Sequence, residues 1–383
     1  MSDCLLKDIT ELIVDCPHST ANDEGKGYPL VRTPNIGKGR LVYQGMHRVS
    51  EEVYNKRNQR AVPQENDLIF AREATAGNVA LIQKGEKVCL GQRTVLIRPN
   101  KSLVDPAYLT YLLLAPKQQY NLLGTANGAT VAHVNLPTIR NLKLELPDLE
   151  VQHRIATILS RYDTLIENYQ KQIKLLEEAA QRLYKEWFVE LRFPGHENTK
   201  MVDGLPEGWE RKKVGEISPI KTGKKDANYG TADGAYPFFT CSQEPIKAPS
   251  YSFDANAVIL AGNGDFNVKL YRGKFEAYQR TYVLEPNKPS LLFLLYFCVL
   301  ENMRKLASGA SGSTIKFLTK GMIDSLEVFV PSDKIVTWFN QYEESVQSEK
   351  ERIQSQICLL TEARDRLLPR LMGGEMEVEY LKI

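Results

Sequence analysis

The sequence lacks the features that mark membrane-bound and secreted proteins. Its 383 residues contain no apolar run near the roughly 18–20 residues that a membrane-spanning helix needs. The first residues are acidic where a signal peptide would carry a basic start and an apolar block, so no signal peptide is predicted. The six cysteines are scattered and form no CxxC pair, which is typical of free thiols in a reducing compartment. We therefore expect a cytoplasmic protein.

The patterns that would mark a catalytic or metal-binding chain are missing too. There is no phosphate-binding loop of the form GxxxxGKS or GxxxxGKT, and the five histidines show no metal-ligand spacing with cysteines or with each other. No nucleophile triad and no nuclease centre of paired carboxylates can be assembled from the motifs. We predict no catalytic residue, no metal and no cofactor in this chain.

Two motifs resemble parts of a DNA methyltransferase. Asp105-Pro106-Ala107-Tyr108 resembles the loop that holds a target adenine, and residues 262–266 (GNGDF) resemble a glycine-rich cofactor turn. A cofactor turn should follow a strand, open a helix and precede the catalytic loop, whereas residues 262–266 come after it in the other half of the chain. We predict instead that Asp105 starts a helix. An intrinsic methyltransferase remains an alternative, which labelled S-adenosylmethionine and DNA would test on the purified chain.

The composition is that of an ordinary globular protein with two to three domains. Hydrophobic residues make up 43% and charged residues 25% of the chain, whose formal net charge is +2. The positive charge lies in two blocks: residues 1–147 carry 18 basic and 14 acidic side chains, and residues 203–331 carry 16 and 14. A nucleic-acid surface is expected in these blocks, although an ordinary solvated surface would explain so small an excess equally well.

An internal repeat organises the whole chain. At a constant offset of 184, residues 128–147 (GATVAHVNLPTIRNLKLELP) match residues 312–331 (GSTIKFLTKGMIDSLEVFVP). The pair Gln92-Arg93, followed by threonine, also recurs as Gln279-Arg280. So long a period excludes a solenoid or a propeller and predicts a duplicated domain.

Each half begins with short β-like runs and ends with a long helical segment. Runs such as DLIFAR (67–72), TVLIRP (94–99) and AVILAG (257–262) are bounded by turn residues and predict short strands. The predicted fold is α+β, with two β-rich mixed domains joined by two long helices that form an antiparallel coiled coil with pseudo-two-fold symmetry. The predicted boundaries are 1–147 and 193–331 for the two domains, 148–192 and 332–374 for the helices, and 375–383 for a tail.

The helical segments carry heptad patterns of apolar residues. In the first, the pattern runs through Ile158, Tyr162 and Leu165 to Trp187, and in the second through Phe339, Tyr342 and Val346. A helix with one apolar seam needs a partner, so we expect the two helices to pair and the domains to lie at opposite ends of a rod. The alternative is that each helix packs only on its own domain.

The β-rich parts carry basic and amide side chains of the kind that contact nucleic acids. Arginine and lysine bind guanine edges or phosphates, and asparagine and glutamine bind adenine edges. For any one residue, ordinary surface exposure is the alternative explanation; the repeated Gln-Arg pairs and glycine-threonine loops are the stronger candidates. The full set is Arg32, Lys38, Arg40, Arg72, Asn78, Gln92, Arg93 and Thr130 in the first half, and Lys221, Lys224, Lys225, Asn263, Asn267, Lys269, Gln279, Arg280, Thr314 and Lys316 in the second.

The ends of the helices are candidates for binding a partner protein. The first helix ends in more aromatic surface than a two-helix seam needs, and the end of the second should lie beside the opposite domain. Intramolecular packing is the alternative. The residues are Trp187, Phe188, Phe193, Arg366, Leu367 and Met372.

Three stretches give the chain a specific resemblance. They are LPDLEVQHRIATILSRYDTLIENYQKQIKLLEEAAQRLYKEWFVELRFPG (146–195), GLPEGWERKKVGEI (204–217) and LLTEARDRLLPRLMGGEMEV (359–378). With the order domain, helix, domain, helix, the whole chain resembles the specificity subunit of a type I restriction–modification system.

The resemblance implies a function that the residues alone do not. It implies a non-catalytic subunit whose two target-recognition domains each read one half of a bipartite, asymmetric site in double-stranded DNA, with the helices setting the spacing. It further implies two docked methyltransferase subunits that bind S-adenosylmethionine and methylate adenine, and possibly restriction subunits that use ATP and Mg. The alternative from another class is a coiled-coil scaffold that binds protein partners without reading DNA.

Overall fold

The computed structural model describes residues 2–124, 133–310, 312, 316–376 and 378. The chain divides into two compact units: unit 1 comprises Met1–Gln170 and Gln354–Ile383, and unit 2 comprises Lys171–Ile353. Each unit therefore combines one β-rich part of the chain with a segment of each of two long helices. Across the described residues, no helix is both long enough and apolar enough to cross a membrane.

Unit 1 is built on a four-stranded antiparallel sheet beside a smaller three-stranded sheet. Its strands are β1 (Ser2–Leu5), β2 (Thr10–Asp15), β3 (Tyr28–Val31), β4 (His47–Val49), β5 (Leu68–Ala71), β6 (Val79–Leu81), β7 (Cys89–Leu90), β8 (Thr94–Pro99) and β9 (Lys143–Leu146). Its helices are α1 (Glu51–Arg57), α2 (Pro106–Leu114), α3 (Pro116–Leu123), α4 (Leu136–Arg140) and the first part of α5 (Leu149–Tyr184). The strand orders are β2-β8-β5-β6, β4-β3-β7 and β1-β9, with only β3 and β7 parallel.

Unit 2 has a six-stranded mixed sheet in place of the two separate sheets. Its strands are β10 (Met201–Val202), β11 (Leu205–Pro206), β12 (Glu210–Lys213), β13 (Ile220–Thr222), β14 (Tyr236–Phe239), β15 (Ile246–Ala248), β16 (Phe253–Ala261), β17 (Val268–Ala277), β18 (Thr281–Leu284) and β19 (Glu327–Val330). Its helices are α6 (Val214–Ile217), α7 (Leu292–Glu301), α8 (Met303–Gly309), α9 (Lys320–Asp324) and the first part of α10 (Asp333–Met372). The main order is β13-β18-β16-β17-β14-β15.

The predicted duplication is confirmed strand by strand. The order β2-β8-β5-β6 recurs as β13-β18-β16-β17, and β4-β3-β7 recurs as β15-β14 with the end of β17. The offset of 184 also relates α4 to α9, β9 to β19 and the start of α5 to the start of α10. The two halves differ at β17, which is one unbroken strand. The corresponding segment of unit 1 is divided into β6 and β7 by a turn at Lys84–Gly85.

The central strands are buried on both faces, which explains their uninterrupted apolar sequences. In β5, Leu68 and Phe70 face a core shared with α2, while Ile69 and Ala71 face a second core under β3 and β7. In β16, Val258 and Leu260 likewise face away from Ile259. This alternation fixes the register, because a shift by one residue would exchange the two faces.

Both long helices contact their own β-rich part and each other. In unit 1, Leu159 of α5 and Leu371 of α10 belong to the core beneath α2, and Asp163 of α5 binds Arg364 of α10 at 2.7 Å. In unit 2, Glu177 binds Lys350 at 2.7 Å while Tyr184 meets Phe339, so the chain directions are opposite. The antiparallel helix pair predicted from the sequence is therefore confirmed.

The seam of the helix pair differs in detail from the predicted one. In α10 the buried side chains follow steps of four and three through Phe339, Glu343 and Val346, and the predicted Tyr342 is 38% exposed. In α5 the buried side chains step through Leu159, Asp163 and Ile166, and the predicted Leu165 is 42% exposed. These two assignments were wrong: Ile166 is buried in place of Leu165 and Glu343 in place of Tyr342, and the seam includes the acidic residues Asp163 and Glu343.

The ends of the two long helices differ in local geometry. Asp148 accepts a hydrogen bond from the Val151 amide at 2.9 Å, as an N-cap should. The α-helix α5 ends at Tyr184 and continues as one turn of π-helix, Lys185–Val189. Pro369 lies inside α10, which continues to Met372.

Candidate nucleic-acid interface

The Gln-Arg pairs occupy equivalent turns in the two units, just before β8 and β18. The amide of Arg72 donates to the carbonyl of Arg93 at 2.9 Å, and the amide of Gly262 donates to that of Arg280 at 2.8 Å. A later segment of the chain completes each turn. The amide of Val134 donates to the carbonyl of Arg72, and the amide of Leu318 donates to the carbonyl of Gly262. We call residues 72–78, 91–93 and 133–134, and their counterparts 262–267, 278–280 and 316–319, the Gln-Arg edges.

Each Gln-Arg edge borders a solvent-open groove. The groove of unit 1 has a volume of about 250 Å³, and the groove of unit 2 about 300 Å³. Both are lined by the glutamine and the arginine of the repeated pair. The first adds Arg32 and Arg57, and the second adds Phe317 and Lys320. Grooves lined by cations and an aromatic ring can accept phosphates and base edges.

In unit 1 the arginine of the pair is exposed but held. Arg93 has a left-handed backbone with φ +63°, and its side chain is 61% exposed. Its guanidinium Nη1 lies 2.6 Å from Oε2 of Glu73. Glu73 could not be recognised as a candidate from the sequence, because a carboxylate is not an expected element of a polyanion-binding surface.

In unit 2 the arginine has different surroundings. Arg280 is exposed, and within the described part of the chain its side chain makes no hydrogen bond or ion pair. Lys224 is exposed nearby, and Lys225 places its ammonium 4.3 Å above the ring of Tyr229. Lys320, at the start of α9, also lines this groove and was missed by the sequence analysis.

The glutamines and asparagines of the candidate set fasten loops. Nε2 of Gln92 donates to the carbonyl of His18, and Nε2 of Gln279 donates to the carboxylate of Asp226. Nδ2 of Asn78 donates to a carbonyl of the loop after β3, and Nδ2 of Asn267 to a carbonyl of the equivalent loop after β14. Asn78 and Asn267 thus have a structural role in fastening loops, and their contact with DNA stays a prediction.

Two arginines predicted to bind DNA are engaged inside unit 1. Arg40 binds Glu167 of α5 at 2.7 Å and so fastens a loop to the helix. Arg72 has a side chain only 11% exposed, and its Nη1 contacts both carboxylate oxygens of Asp15 at 2.9 Å. Both guanidiniums thus have partners inside unit 1, and contact of either residue with DNA stays a prediction.

The remaining candidates fall into three groups. Lys38 is exposed beside Asp365 of α10, and Lys221 pairs with Glu285 at 3.2 Å. Burial lowers the pKa of Lys269, whose ammonium donates to the carbonyl of Ser242, so it too is a structural residue. Arg32, Asn263 and Lys316 lie on or beside the grooves, whereas Thr130 and Thr314 lie outside the described residues.

The helix-end residues proposed to bind a partner are mostly core residues. Phe188 and Phe193 are 2% and 4% exposed within the core of unit 2, which corrects their assignment. Leu367 and Met372 pack against the core of unit 1, as expected for residues beside the first domain. Only Arg366, at 79%, has a largely exposed side chain, while Trp187 is half-buried.

The helix that starts at Asp105 removes the structural basis for a methyltransferase loop. Oδ1 of Asp105 accepts a hydrogen bond from the amide of Tyr108 at 2.9 Å and caps α2. Residues 262–266 connect β16 to β17 and open no helix. No cluster of three or more His, Cys, Asp or Glu suited to a metal occurs among the residues that the structure describes.

Comparisons with known proteins agree on one family. A family model described as the type I restriction modification DNA specificity domain matches residues 5–178 and again 206–357. The type I restriction enzyme MjaIX specificity subunit of Methanocaldococcus jannaschii is 25% identical over 98% of this chain and 93% of that protein. The EcoDI specificity subunit of Escherichia coli is 40% identical over 184 residues, which are 46% of this chain and 40% of that protein.

A solved structure shares the fold. The crystal structure of the type I restriction–modification S subunit from M. genitalium aligns with a TM-score of 0.54 at 16% identity, covering 97% of this chain and 95% of that one.

Proposed function

The chain belongs to the family of type I restriction–modification DNA specificity subunits, and we propose that each of its two units reads one half of a bipartite, asymmetric DNA site. Family membership makes it a component that supplies sequence specificity and not catalysis. Two recognition domains in one chain give a single polypeptide two contacts with one duplex. The half-sites can then differ in sequence, because the two domains carry different side chains.

The observation that carries the proposal is the repeated Gln-Arg edge. The same hydrogen bonds place Arg93 and Arg280 at equivalent turns on the rims of two grooves. An arginine held at such a turn can donate two parallel hydrogen bonds to O6 and N7 of guanine. The lysines around Arg280 supply charge for phosphates, which position the duplex without reading it.

The long helices are proposed to set the spacing between the half-sites. Helix α10 contains 40 residues and α5 contains 36, so each is on the order of 55–60 Å long. The ion pairs of Asp163 with Arg364 and of Glu177 with Lys350 hold the two helices together. A change in helix length should therefore change the spacer and leave the half-site sequences intact.

The chain acts on DNA within a restriction–modification system, and the finer details of its assembly are proposed. Two methyltransferase subunits bind it, carry S-adenosylmethionine and methylate one adenine in each half-site. A restriction subunit using ATP and Mg joins where the system has one. The exposed Arg366 and the half-buried Trp187 are the candidate contacts that the structure leaves available to a partner. We place the complex in the cytoplasm, because its substrate is cellular DNA.

Methylome sequencing tests this function directly. Cells would express the chain with its methyltransferase subunit, and we expect one bipartite methylated motif. Arg93→Ala should relax one half of the motif, and Arg280→Ala the other.

Matched controls lie at the opposite ends of the same strands. Lys101 and Lys288 are exposed and follow β8 and β18, so Lys101→Ala and Lys288→Ala remove a cation from each unit at a distance from the Gln-Arg edge. These variants should leave the motif unchanged. A chain that binds its partners but yields no sequence-dependent methylation and no duplex binding would support the scaffold instead.

A further inference from the structure

The guanidinium of Arg93 is held from two directions. Its backbone adopts φ +63°, a conformation uncommon for a residue with a side chain, and its carbonyl accepts from the amide of Arg72. Nη1 of its side chain lies 2.6 Å from Oε2 of Glu73, the residue that follows Arg72. An exposed arginine usually samples many rotamers, and this contact restricts it to few.

Glu73 is itself anchored by a chain of polar contacts that leads into the domain. Its second oxygen, Oε1, lies 2.7 Å from Nδ1 of His133, and Nε2 of His133 lies 3.1 Å from Nη2 of Arg72. Arg72 in turn binds both oxygens of Asp15. Both oxygens of Glu73 are therefore engaged within the protein, and with its side chain only 19% exposed the carboxylate is held between Arg93 and His133.

Unit 2 lacks this arrangement at the equivalent positions. The hydrogen bonds shared by the two edges align Arg72, Glu73 and His133 with Gly262, Asn263 and Phe317. Asn263 is neutral, and its oxygen accepts from the thiol of Cys241. The repeat thus preserves the arginine of the Gln-Arg pair and changes its electrostatic environment.

We propose that Glu73 is a specificity-determining positioning residue for the half-site read by unit 1. The ion pair neutralises Arg93, which disfavours contact with a phosphate and favours a neutral base edge. With Nη1 committed to Glu73, the side of the guanidinium carrying Nε and Nη2 retains two parallel donors, which match O6 and N7 of guanine. This inference rests on the proposed function and adds a residue that touches no DNA.

The test compares Glu73→Gln with wild type in the complex with the methyltransferase subunit. Binding would be measured on the duplex identified by methylome sequencing and on duplexes with single substitutions in each half-site, at several salt concentrations. Glutamine keeps the size of the side chain and removes its charge. We expect discrimination at one base of one half-site to fall about fivefold or more. Binding to unrelated duplex should strengthen and its salt dependence steepen by about one counterion, because Arg93 becomes a free cation.

The controls separate positioning from folding. Glu145→Gln removes another carboxylate of unit 1, which pairs with Lys117 at 2.7 Å, and should change neither quantity. Glu73→Asn introduces the residue type of unit 2 and should reproduce the effect of Glu73→Gln. With Arg93→Ala already present, Glu73→Gln should reduce discrimination no further.

Two results would overturn the inference. One is unchanged discrimination in Glu73→Gln while Arg93→Ala relaxes the site. The other is an equal loss of affinity for cognate and unrelated duplexes at an unchanged salt dependence, which is the signature of a damaged fold. If wild type itself shows no sequence preference, the proposed function fails first, and the inference fails with it.

Discussion

Glu343 should make the stability of unit 2 fall as the pH rises. This residue of α10 is fully buried between Phe339 and Val346, and within the described structure neither carboxylate oxygen has a hydrogen-bond partner. Burial raises the pKa of Glu343 to about 7 from an ordinary 4.5, and Lys350 opposes the shift only partly. The ammonium of Lys350 is engaged by Glu177 at 2.7 Å.

The direction and the size of the pH effect on stability follow from the pKa of Glu343 in the folded and in the unfolded chain. Because the folded pKa is the higher one, the contribution to stability is fully present below about pH 4.5 and is lost as the pH rises through about 7. A difference of about 2.5 pKa units corresponds to about 3 kcal/mol, most of which falls between pH 5 and pH 8. Tyr296, which also faces this carboxyl, has its pKa raised to about 12 by burial and does not titrate in that range.

Glu343→Gln removes the titration at almost constant volume. All three tryptophans, Trp187, Trp209 and Trp338, lie in unit 2, so urea unfolding of the full chain followed by tryptophan fluorescence reports on this unit. The difference in unfolding free energy between Glu343→Gln and wild type should grow in favour of the variant by about 2–3 kcal/mol from pH 5 to pH 8. Taking the difference between proteins cancels the other titrating groups.

The neighbouring carboxylate supplies a control of opposite sign. Glu344 is exposed and binds Arg272, which lowers the pKa of Glu344. Its contribution is therefore present at neutral pH and lost on acidification, so Glu344→Gln should lose a small amount of stability relative to wild type as the pH rises. A difference between Glu343→Gln and wild type that stays constant from pH 5 to pH 8 would refute the assignment of a raised pKa to the buried carboxyl.

Three further predictions concern the helices and the loops. Arg364→Met should lower the unfolding free energy of unit 1 by about 3–5 kcal/mol, because it leaves Asp163 buried without its cation. Asp163→Leu in the same chain should restore most of that free energy. Circular dichroism during urea unfolding measures both changes. Asn78→Ala and Asn267→Ala should each cost about 1–3 kcal/mol and speed amide hydrogen exchange in the loops after β3 and β14, with the loop of the other unit unaffected. A four-residue insertion after Lys174 lengthens α5 by about 6 Å and rotates the part that follows by only about 40°, so methylome sequencing should show the same half-sites one or two base pairs further apart. A two-residue insertion should prevent assembly, because it turns the helix seam away from its partner. An unchanged spacer after the four-residue insertion would contradict the role of the helices in setting the spacing.

The elements that the sequence predicted best are those with a local or a repeated signal in the sequence. The strand at residues 94–99 was predicted with its observed bounds, since a strand buried on both faces is a continuous apolar run between turn residues. The offset of 184 located α9 and β19 from α4 and β9. Such signals are local or repetitive, and they require no knowledge of how distant segments meet.

The helix seam shows where this information ends. A heptad pattern assigns buried positions to apolar residues, so it predicted Tyr342 where the structure buries Glu343, and it gave no reason to bury Asp163. Asp163 is buried with Arg364, 201 residues later, as its charge partner, whereas Glu343 is buried at a site that raises its pKa and so favours the neutral carboxyl. Neither the charge partner of Asp163 nor the buried surroundings of Glu343 can be recognised from the sequence near the carboxylate.

The candidate site was limited by a different ambiguity. Residues that recur in both halves are those that a duplicated fold requires, and Asn78 and Asn267 recur because each fastens an equivalent loop. A protein that reads an asymmetric site needs the opposite property, since its halves must differ where they meet different bases. Under the proposed function the repeated arginines mark the place of recognition, and unrepeated neighbours such as Glu73 and Lys320 are the residues expected to decide what is recognised there.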